Sequence, residues 1–66
     1  MELISVSSSR INKVGWEDNT LYVQFKNGVV YAYFNVSLSE YQTFKSSSSL
    51  GSALSRLDKI HPYRKL

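Results

Sequence analysis

The residues that could support catalysis are a serine nucleophile, His61 as its base and Asp58 as the acid that orients the base. Asp58 and His61 are one helical turn apart near a helix end, where an exposed aspartate commonly pairs with a histidine without any catalytic role. None of the 12 serines lies in a recognisable nucleophile motif. The sequence therefore predicts a protein that is not an enzyme.

The acidic residues and the glycines are scattered along the chain. Glu17 and Asp18 are adjacent in a turn and point apart, and Gly15, Gly28 and Gly51 lie in three separate elements. A phosphate-binding loop needs its glycines together. With no cysteine and a single histidine, the chain also lacks the usual zinc ligands. We therefore expect neither a metal nor a cofactor.

Aromatic and basic residues could instead bind nucleic acid. Residues 29–36 read VVYAYFNV, and side chains two residues apart in a strand share a face, so Tyr31 and Tyr33 point the same way. Exposed rings can stack on bases, and cations can contact phosphates. The candidate nucleic-acid-binding residues are Tyr22, Lys26, Tyr31, Tyr33, Tyr63, Arg64 and Lys65.

These candidates also have purely structural explanations. The helices could cover Tyr31 and Tyr33 as core residues with their hydroxyls at the rim, an interpretation that the small size of the domain favours. The last six residues, HPYRKL, gather His61 and two further basic side chains around Tyr63. Ends of small domains are often basic because solvent accepts them, and we favour this explanation for the tail.

Three strands are predicted to position these residues, at 10–16, 21–26 and 29–35. In the first strand, alternation places Val14 and Trp16 on one face and Ile11 and Lys13 on the other. In the second strand, one face is an apolar row. That row consists of Leu21, Val23 and Phe25.

The loop between the second and third strands decides which way Tyr31 and Tyr33 point. Asn27-Gly28 favours a two-residue type I′ turn, which places the tyrosines on the face opposite the apolar row. A three-residue loop over 26–28, with glycine at a bulge, would instead place them on the same face as that row. The two-residue turn has the better turn chemistry and is the predicted register.

Two helices follow the strands. Ser37 and Glu40 match a capping box, which predicts a first helix over 38–46. Leu38 and Tyr41 should face the sheet, with Phe44 at the side of the apolar stripe.

Ser48 or Ser49 can cap the second helix, and Pro62 stops it near His61. Its apolar stripe consists of Leu50, Ala53, Leu54, Leu57 and Ile60. Arg56 and Lys59 lie on its solvated side. The predicted fold is one α+β domain over residues 1–66, a three-stranded antiparallel β-sheet followed by two short helices packed on one face.

Composition and charge limit the partners and the cellular location that the sequence predicts. Eight Lys and Arg against five Asp and Glu give a net charge of +3, which is compatible with an acidic partner. No apolar run reaches the roughly 20 residues of a membrane span, and the first ten residues lack the basic start and apolar stretch of a secretory signal. We expect a cytoplasmic protein that does not bind membranes.

Several short motifs follow one another in a characteristic order: VSSS, I..VGW, L.V.F..G..Y.Y..V and S.G, then an isoleucine and a tyrosine. This order resembles the KTSC family, a small domain named for its occurrence at the C-terminus of some lysyl-tRNA synthetases. The matching residues are Val6, Ser8, Ser9, Ile11, Val14, Gly15, Trp16, Leu21, Val23, Phe25, Gly28, Tyr31, Tyr33, Val36, Ser49, Gly51, Ile60 and Tyr63.

The resemblance implies a standalone bacterial or phage member, because nothing synthetase-like precedes the motifs. The family has no settled function, and RNA binding is a suggestion that accompanies its synthetase context. The chain departs from the pattern at Trp16, where tyrosine is usual, at Ser37, where proline often follows Val36, and at Leu54, where an aromatic is common. These departures concern packing rather than chemistry.

Together these observations predict a small, non-enzymatic binding domain that binds RNA or single-stranded DNA weakly. The alternative is a protein-interaction or adaptor module, since exposed sheet edges can add a partner strand. A monomer or a weak homodimer is expected.

Overall fold

A computed structural model describes residues 2–66 of the chain, so that Met1 of the predicted domain lies outside the described residues. The elements are β1 (Ile4–Ser5), β2 (Ile11–Glu17), β3 (Thr20–Phe25), β4 (Val30–Phe34), α1 (Leu38–Lys45), α2 (Leu50–Ile60) and β5 (Tyr63–Lys65). The strands form one antiparallel sheet in the order β1-β2-β3-β4-β5. The α+β class is confirmed, but the prediction of three strands is wrong because the sheet has five.

The two missed strands are the short edges of the sheet. β1 has two residues and β5 has three, which is too short to show an alternating pattern. β5 arises because Pro62 ends α2 and leaves the chain extended, so that Tyr63 pairs with Tyr33 and Lys65 with Tyr31. The segment interpreted as a basic tail is therefore part of the sheet.

The core lies between one face of the sheet and both helices, as predicted. Its sheet side includes Ile11, Val14, Leu21, Val23 and Tyr33, all at most 1% exposed. Its helix side consists of Tyr41, Phe44, Leu50, Ala53, Leu54 and Leu57. Burying a large apolar side chain contributes about 1.5–3 kcal/mol, so this cluster dominates the stability of so small a domain.

The helix ends follow the predicted caps. The Ser37 hydroxyl accepts from the Glu40 N–H while the Glu40 carboxylate accepts from the Ser37 N–H, and Ser49 caps α2. Two predictions about the stripes are wrong, since Leu38 is 47% and Ile60 67% exposed. Both residues lie at helix ends, Leu38 at the start of α1 and Ile60 at the end of α2. Within residues 2–66, neither helix is long and apolar enough to span a membrane.

The β2–β3 hairpin contains an irregularity that alternation alone does not predict. Its turn has positive φ at both Asp18 (53°) and Asn19 (58°), as in a type I′ turn. The register then shifts between Ile11 and Lys13, which leaves Asn12 as the extra residue of a bulge. Ile11 consequently shares the core face with Val14, and the prediction that these two residues lie on opposite faces is wrong.

The β3–β4 hairpin has the register that was not favoured. Phe25 donates its N–H to the Val29 carbonyl, and the Gly28 N–H donates to the Phe25 carbonyl, which closes a three-residue loop over 26–28. Of the loop residues only Gly28 has positive φ (90°), and the Asn27 side chain instead accepts from the Val29 N–H. This loop needs one left-handed residue, whereas a type I′ turn needs two.

The observed register places Tyr31 and Tyr33 on the core face, opposite Val23 and Leu21. The predicted orientation of the tyrosines, away from the apolar row, is therefore wrong. Their interpretation as core residues is confirmed for Tyr33, which is 1% exposed, while Tyr31 is half-buried.

Candidate functional site

The face of the sheet away from the helices carries its own set of side chains. Residues paired across neighbouring strands share a face of the sheet. Two rows of paired residues lie on this face, Gly15–Tyr22–Ala32–Arg64 and Lys13–Gln24–Val30. Phe34 lies in the next row, beside Thr20. The open face is defined as Lys13, Gly15, Tyr22, Gln24, Val30, Ala32, Phe34 and Arg64. The helices pack on the opposite face, where the core lies.

Two aromatic side chains lie near the centre of the open face. Tyr22 pairs with Ala32, and Phe34 follows two residues later on the same strand, so the two rings are diagonal neighbours. Diagonal Cβ atoms are about 7–8 Å apart, within reach of rings. Both side chains are half-buried, and the row of Tyr22 contains the small residues Gly15 and Ala32 on either side. The face therefore presents aromatic surface without bulky side chains next to Tyr22 in its row.

Basic residues lie on the strands that flank these aromatics. Lys13 is on β2 and Arg64 on β5, and within residues 2–66 neither forms an ion pair with a carboxylate. Gln24, in the row of Lys13, accepts a hydrogen bond from the Asn12 amide at 3.2 Å. The acidic residue nearest in the pairing pattern, Glu17, lies at the end of the row of Thr20 and Phe34. The open face thus has aromatic side chains at its centre and positive charge on both flanks.

A second candidate site lies on the helix side, where α2 approaches β4, β5 and the β3–β4 loop. It is a cleft of about 400 Å³, which we call the tyrosine cleft. Its lining residues are Arg10, Phe25, Asn27, Val29, Tyr31, Tyr33, Leu54, Asp58, Tyr63 and Lys65. Tyr63 stacks on Tyr31 with ring centroids 5.6 Å apart and lies 5.2 Å from the Tyr33 ring, while Phe25 meets Tyr31 edge-on at 5.5 Å.

Tyr33 is the buried wall of this cleft. Its hydroxyl donates a 2.7 Å hydrogen bond to Asp58 Oδ1 on α2. Burial, and secondarily this hydrogen bond, raise the pKa of the Tyr33 hydroxyl far above its usual range. The phenol therefore stays neutral and ties α2 to the sheet.

The structure divides the predicted nucleic-acid-binding residues between the two sites. Tyr22 and Arg64 lie on the open face, and Lys26 lies in the β3–β4 loop. The four others, Tyr31, Tyr33, Tyr63 and Lys65, line the tyrosine cleft.

Sequence reasoning missed Lys13 and Phe34 on the open face and Arg10 in the cleft. Alternation in the observed register would have found Phe34, since it lies two residues from Ala32 on the same face. Arg10 has no such signal, because it precedes β2 and reaches the cleft only through the tertiary fold.

The expected pairing of Asp58 with His61 is not present. Asp58 accepts from Tyr33, whereas His61 Nε2 lies 2.8 Å from Glu40 Oε2 and Nδ1 lies 3.1 Å from the Phe34 carbonyl oxygen. The Ser37 N–H, and then the His61 imidazole, hold the pKa of Glu40 below its usual value. His61 therefore joins α1, α2 and the end of β4, and it does not form a base–acid pair with Asp58.

Among residues 2–66, no three His, Cys, Asp or Glu side chains form a group that could hold a metal ion.

A five-stranded antiparallel sheet with two helices on one face defines a small two-layer α+β domain. The sequence model of the KTSC domain matches residues 7–61, and the chain belongs to this family, as its motifs indicated. The crystal structure of a KTSC domain protein from Yersinia pestis matches with a TM-score of 0.86 and 35% identity, over 98% of this chain and 96% of that one. No curated protein shows significant similarity to the chain.

The family match includes part of each candidate site. Tyr22 and Phe34 on the open face lie within residues 7–61, as do Tyr31 and Tyr33 in the cleft. Tyr63, Arg64 and Lys65 on β5 lie beyond the matched segment. The aromatic centre of each site therefore belongs to the family domain.

Proposed function

We propose that the domain is a non-catalytic module that binds single-stranded nucleic acid on its open face. The observation that supports this proposal is the pair Tyr22 and Phe34, half-buried diagonal neighbours on two adjacent inner strands of a face that the helices do not cover. Bases stack on such rings regardless of sequence, and each stacked base contributes about 1–3 kcal/mol.

The tyrosines first considered for stacking are less suited to it. Tyr33 is 1% exposed, and the rings of Tyr31 and Tyr63 stack on each other, which occupies one face of each ring. Each of these two rings therefore has at most one face left for a base. Tyr22 and Phe34 have no such ring contact with another aromatic among residues 2–66.

Lys13 and Arg64 supply the electrostatic part of the interaction. They lie on opposite flanks of the aromatic pair, so a strand that crosses the sheet from β2 to β5 would pass both cations. Two phosphate contacts to a single strand predict a fall in log affinity of about 1.4 for each tenfold rise in salt. Binding should therefore be weak and moderately salt-dependent.

Fluorescence anisotropy with a labelled single-stranded RNA of mixed sequence tests the proposal, at salt concentrations of about 50 and 200 mM. Tyr22→Ala should weaken binding about 5- to 150-fold through the loss of one stacked base. Lys13→Ala should reduce the salt dependence. Lys59→Ala, which removes the same charge from α2, is the matched control and should bind as the unmodified chain does.

Equal losses in Lys13→Ala and Lys59→Ala would show that binding depends on overall charge and not on the open face. If no oligonucleotide bound at the lower salt, nucleic-acid binding would be excluded. The protein-interaction module would then remain as the prediction.

A further inference from the structure

The tyrosine cleft lies on the helix side of the sheet and is separate from the open face. Its volume of about 400 Å³ falls within the range of small-molecule sites, about 300–1,000 Å³. Its walls come from Arg10 just before β2, the end of β3, the β3–β4 loop, α2, and the pair β4–β5. Nothing in the proposed function uses it.

The polar groups of the cleft favour an anionic ligand. Arg10 and Lys65 both line it, and within residues 2–66 neither forms an ion pair. Asn27 turns its amide oxygen to the Val29 N–H, so the amide NH₂ is left to donate elsewhere.

Among residues 2–66, Asp58 is the only carboxylate that lines the cleft, and one of its oxygens already accepts from Tyr33. The two cations and one carboxylate among these described lining residues give a net charge of +1. The Tyr33 hydroxyl adds no negative charge at ordinary pH, because burial raises its pKa.

The aromatic walls favour a flat ring. Tyr63 is 50% exposed and one side of its ring stacks on Tyr31, so the remaining exposed ring surface lies at the cleft. Tyr33 behind them is fixed by Asp58, and Phe25 meets Tyr31 edge-on. A wall held in this way loses little conformational freedom when a ring packs against it.

We propose that the tyrosine cleft binds a small ligand that carries a phosphate monoester on a flat ring. The ring would pack against Tyr63 and Tyr31, and the phosphate would contact Arg10 and Lys65. An aryl phosphate and a pyrimidine nucleotide share this chemistry, and the experiment distinguishes them.

The test is an NMR titration of the ¹⁵N-labelled full chain with phenyl phosphate, uridine monophosphate, inorganic phosphate and phenol. Phenyl phosphate should shift the backbone amides of Arg10, Asn27, Tyr31 and Tyr63. It should bind at least about tenfold more tightly than phosphate or phenol, because only it uses both parts of the cleft. The titration with uridine monophosphate shows whether the cleft binds a pyrimidine nucleotide as well as an aryl phosphate.

Lys65→Ala should weaken phenyl phosphate binding about tenfold, in the range expected for loss of a charge-assisted hydrogen bond. Lys59→Ala removes the same charge from α2, outside both candidate sites, and is the matched control, with unchanged binding expected. The amide spectrum of each variant checks that its fold is retained. Oligonucleotide binding to the open face should persist in Lys65→Ala, so the two proposals can fail independently.

Three results would overturn the inference. One is an affinity for phenyl phosphate no greater than that for inorganic phosphate, which would show that the rings are not used. Another is an equal loss in Lys59→Ala and Lys65→Ala. The third is a set of shifts from either ring ligand centred on Tyr22 and Phe34, which would place that binding on the open face.

Discussion

The two sides of strand β4 differ in what covers them. Tyr31 and Tyr33 lie under the helices, where the Tyr33 ring is sealed and its hydroxyl is hydrogen-bonded to Asp58. Val30 and Phe34, on the other side, are as apolar but only half-buried. A strand that is apolar on both sides is typical of a sheet covered on both faces, yet here one face has no helical layer.

This difference in coverage implies that side chains of the covered face mainly determine stability and those of the open face mainly determine binding. Side chains on the covered face contribute to the core, and the larger side chains of the open face, Tyr22, Val30 and Phe34, contribute less because they keep part of their contact with water. An uncovered apolar surface rimmed by charge is typical of an interaction site. Equivalent substitutions on the two faces should therefore have different effects, first on stability and then on binding.

The largest difference is expected between Tyr33→Ala and Tyr22→Ala. Removing the buried Tyr33 ring should cost about 3–5 kcal/mol of unfolding free energy, enough to unfold much of so small a domain. Tyr22→Ala should cost about 1 kcal/mol and leave the domain folded. Urea denaturation followed by circular dichroism measures both, and equal losses would refute the division between the faces.

Valine-to-threonine substitutions test the same division with almost no change in shape. Val23 is fully buried on the covered face, so Val23→Thr should cost about 1–3 kcal/mol for burying a hydroxyl. Val30 is half-buried on the open face, and Val30→Thr should change stability by less than about 0.5 kcal/mol. Thermal unfolding of the two variants gives the comparison. A cost for Val30→Thr close to that of Val23→Thr would mean that something covers the open face.

Tyr33→Phe isolates the hydroxyl of the covered face. Loss of its hydrogen bond to Asp58 should cost about 1 kcal/mol, since Asp58 is exposed and water can replace the donor. The raised pKa of Tyr33 stabilises the fold below the unfolded tyrosine pKa of about 10, and this contribution is lost as the pH rises above that value. Stability measured between about pH 9 and 11 should therefore fall less in Tyr33→Phe than in the unmodified chain. An equal fall of stability with pH in Tyr33→Phe and in the unmodified chain would contradict the role assigned to the Tyr33 hydroxyl.

The smallest effect is expected at the rim of the helix layer, from Glu40→Gln. The pKa of Glu40 is lowered in the folded chain, so its contribution is present above the unfolded pKa of about 4.3 and is lost as the pH falls through the lower folded value. Glu40→Gln should therefore be slightly less stable than the unmodified chain at neutral pH, and its acid titration of stability should be flatter, so that the two chains converge at low pH. An unchanged acid profile would show that the contacts of Glu40 with Ser37 and His61 do not contribute.

The helices could be predicted from the sequence because local signals agree with tertiary packing. Ser37 and Glu40 form the capping box, Ser49 caps α2, and Pro62 follows its end. The stripe from Leu50 to Leu57 is buried as its spacing indicated. Leu38 and Ile60 depart from the pattern because burial at a helix end depends on how far the sheet extends, which periodicity does not report.

The hairpins could not be predicted in the same way. Asn27-Gly28 is compatible with two loop lengths, and the choice between them decides which face of the sheet each side chain of β4 occupies. The packing of Tyr33 against α2 and its bond to Asp58 accompany the longer loop. The bulge at Asn12 likewise depends on pairing with β3, which no local pattern of β2 reports.

Prediction of the candidate sites failed where it depended on that register. Tyr22 and Arg64 were identified by residue type, but their neighbour Phe34 was missed, because a two-residue turn would place it on the same face as the apolar row. The one-residue shift in the pairing of β3 and β4 therefore buries Tyr33, which was a predicted stacking residue, and places Phe34 on the open face.

The position of the short strand β5 at the edge of the sheet has a consequence for solubility. Residues 29–34, VVYAYF, are uncharged, free of proline and rich in strand-forming residues, which is the composition of segments that assemble into cross-β aggregates. In the folded chain β3 and β5 pair with β4 on its two sides, and Arg64 and Lys65 place positive charge along the outer strand. Charges at a sheet edge oppose the addition of another chain. Three residues at the edge therefore shield the most aggregation-prone segment of the sequence, and detachment of β5 would expose that segment to a neighbouring molecule.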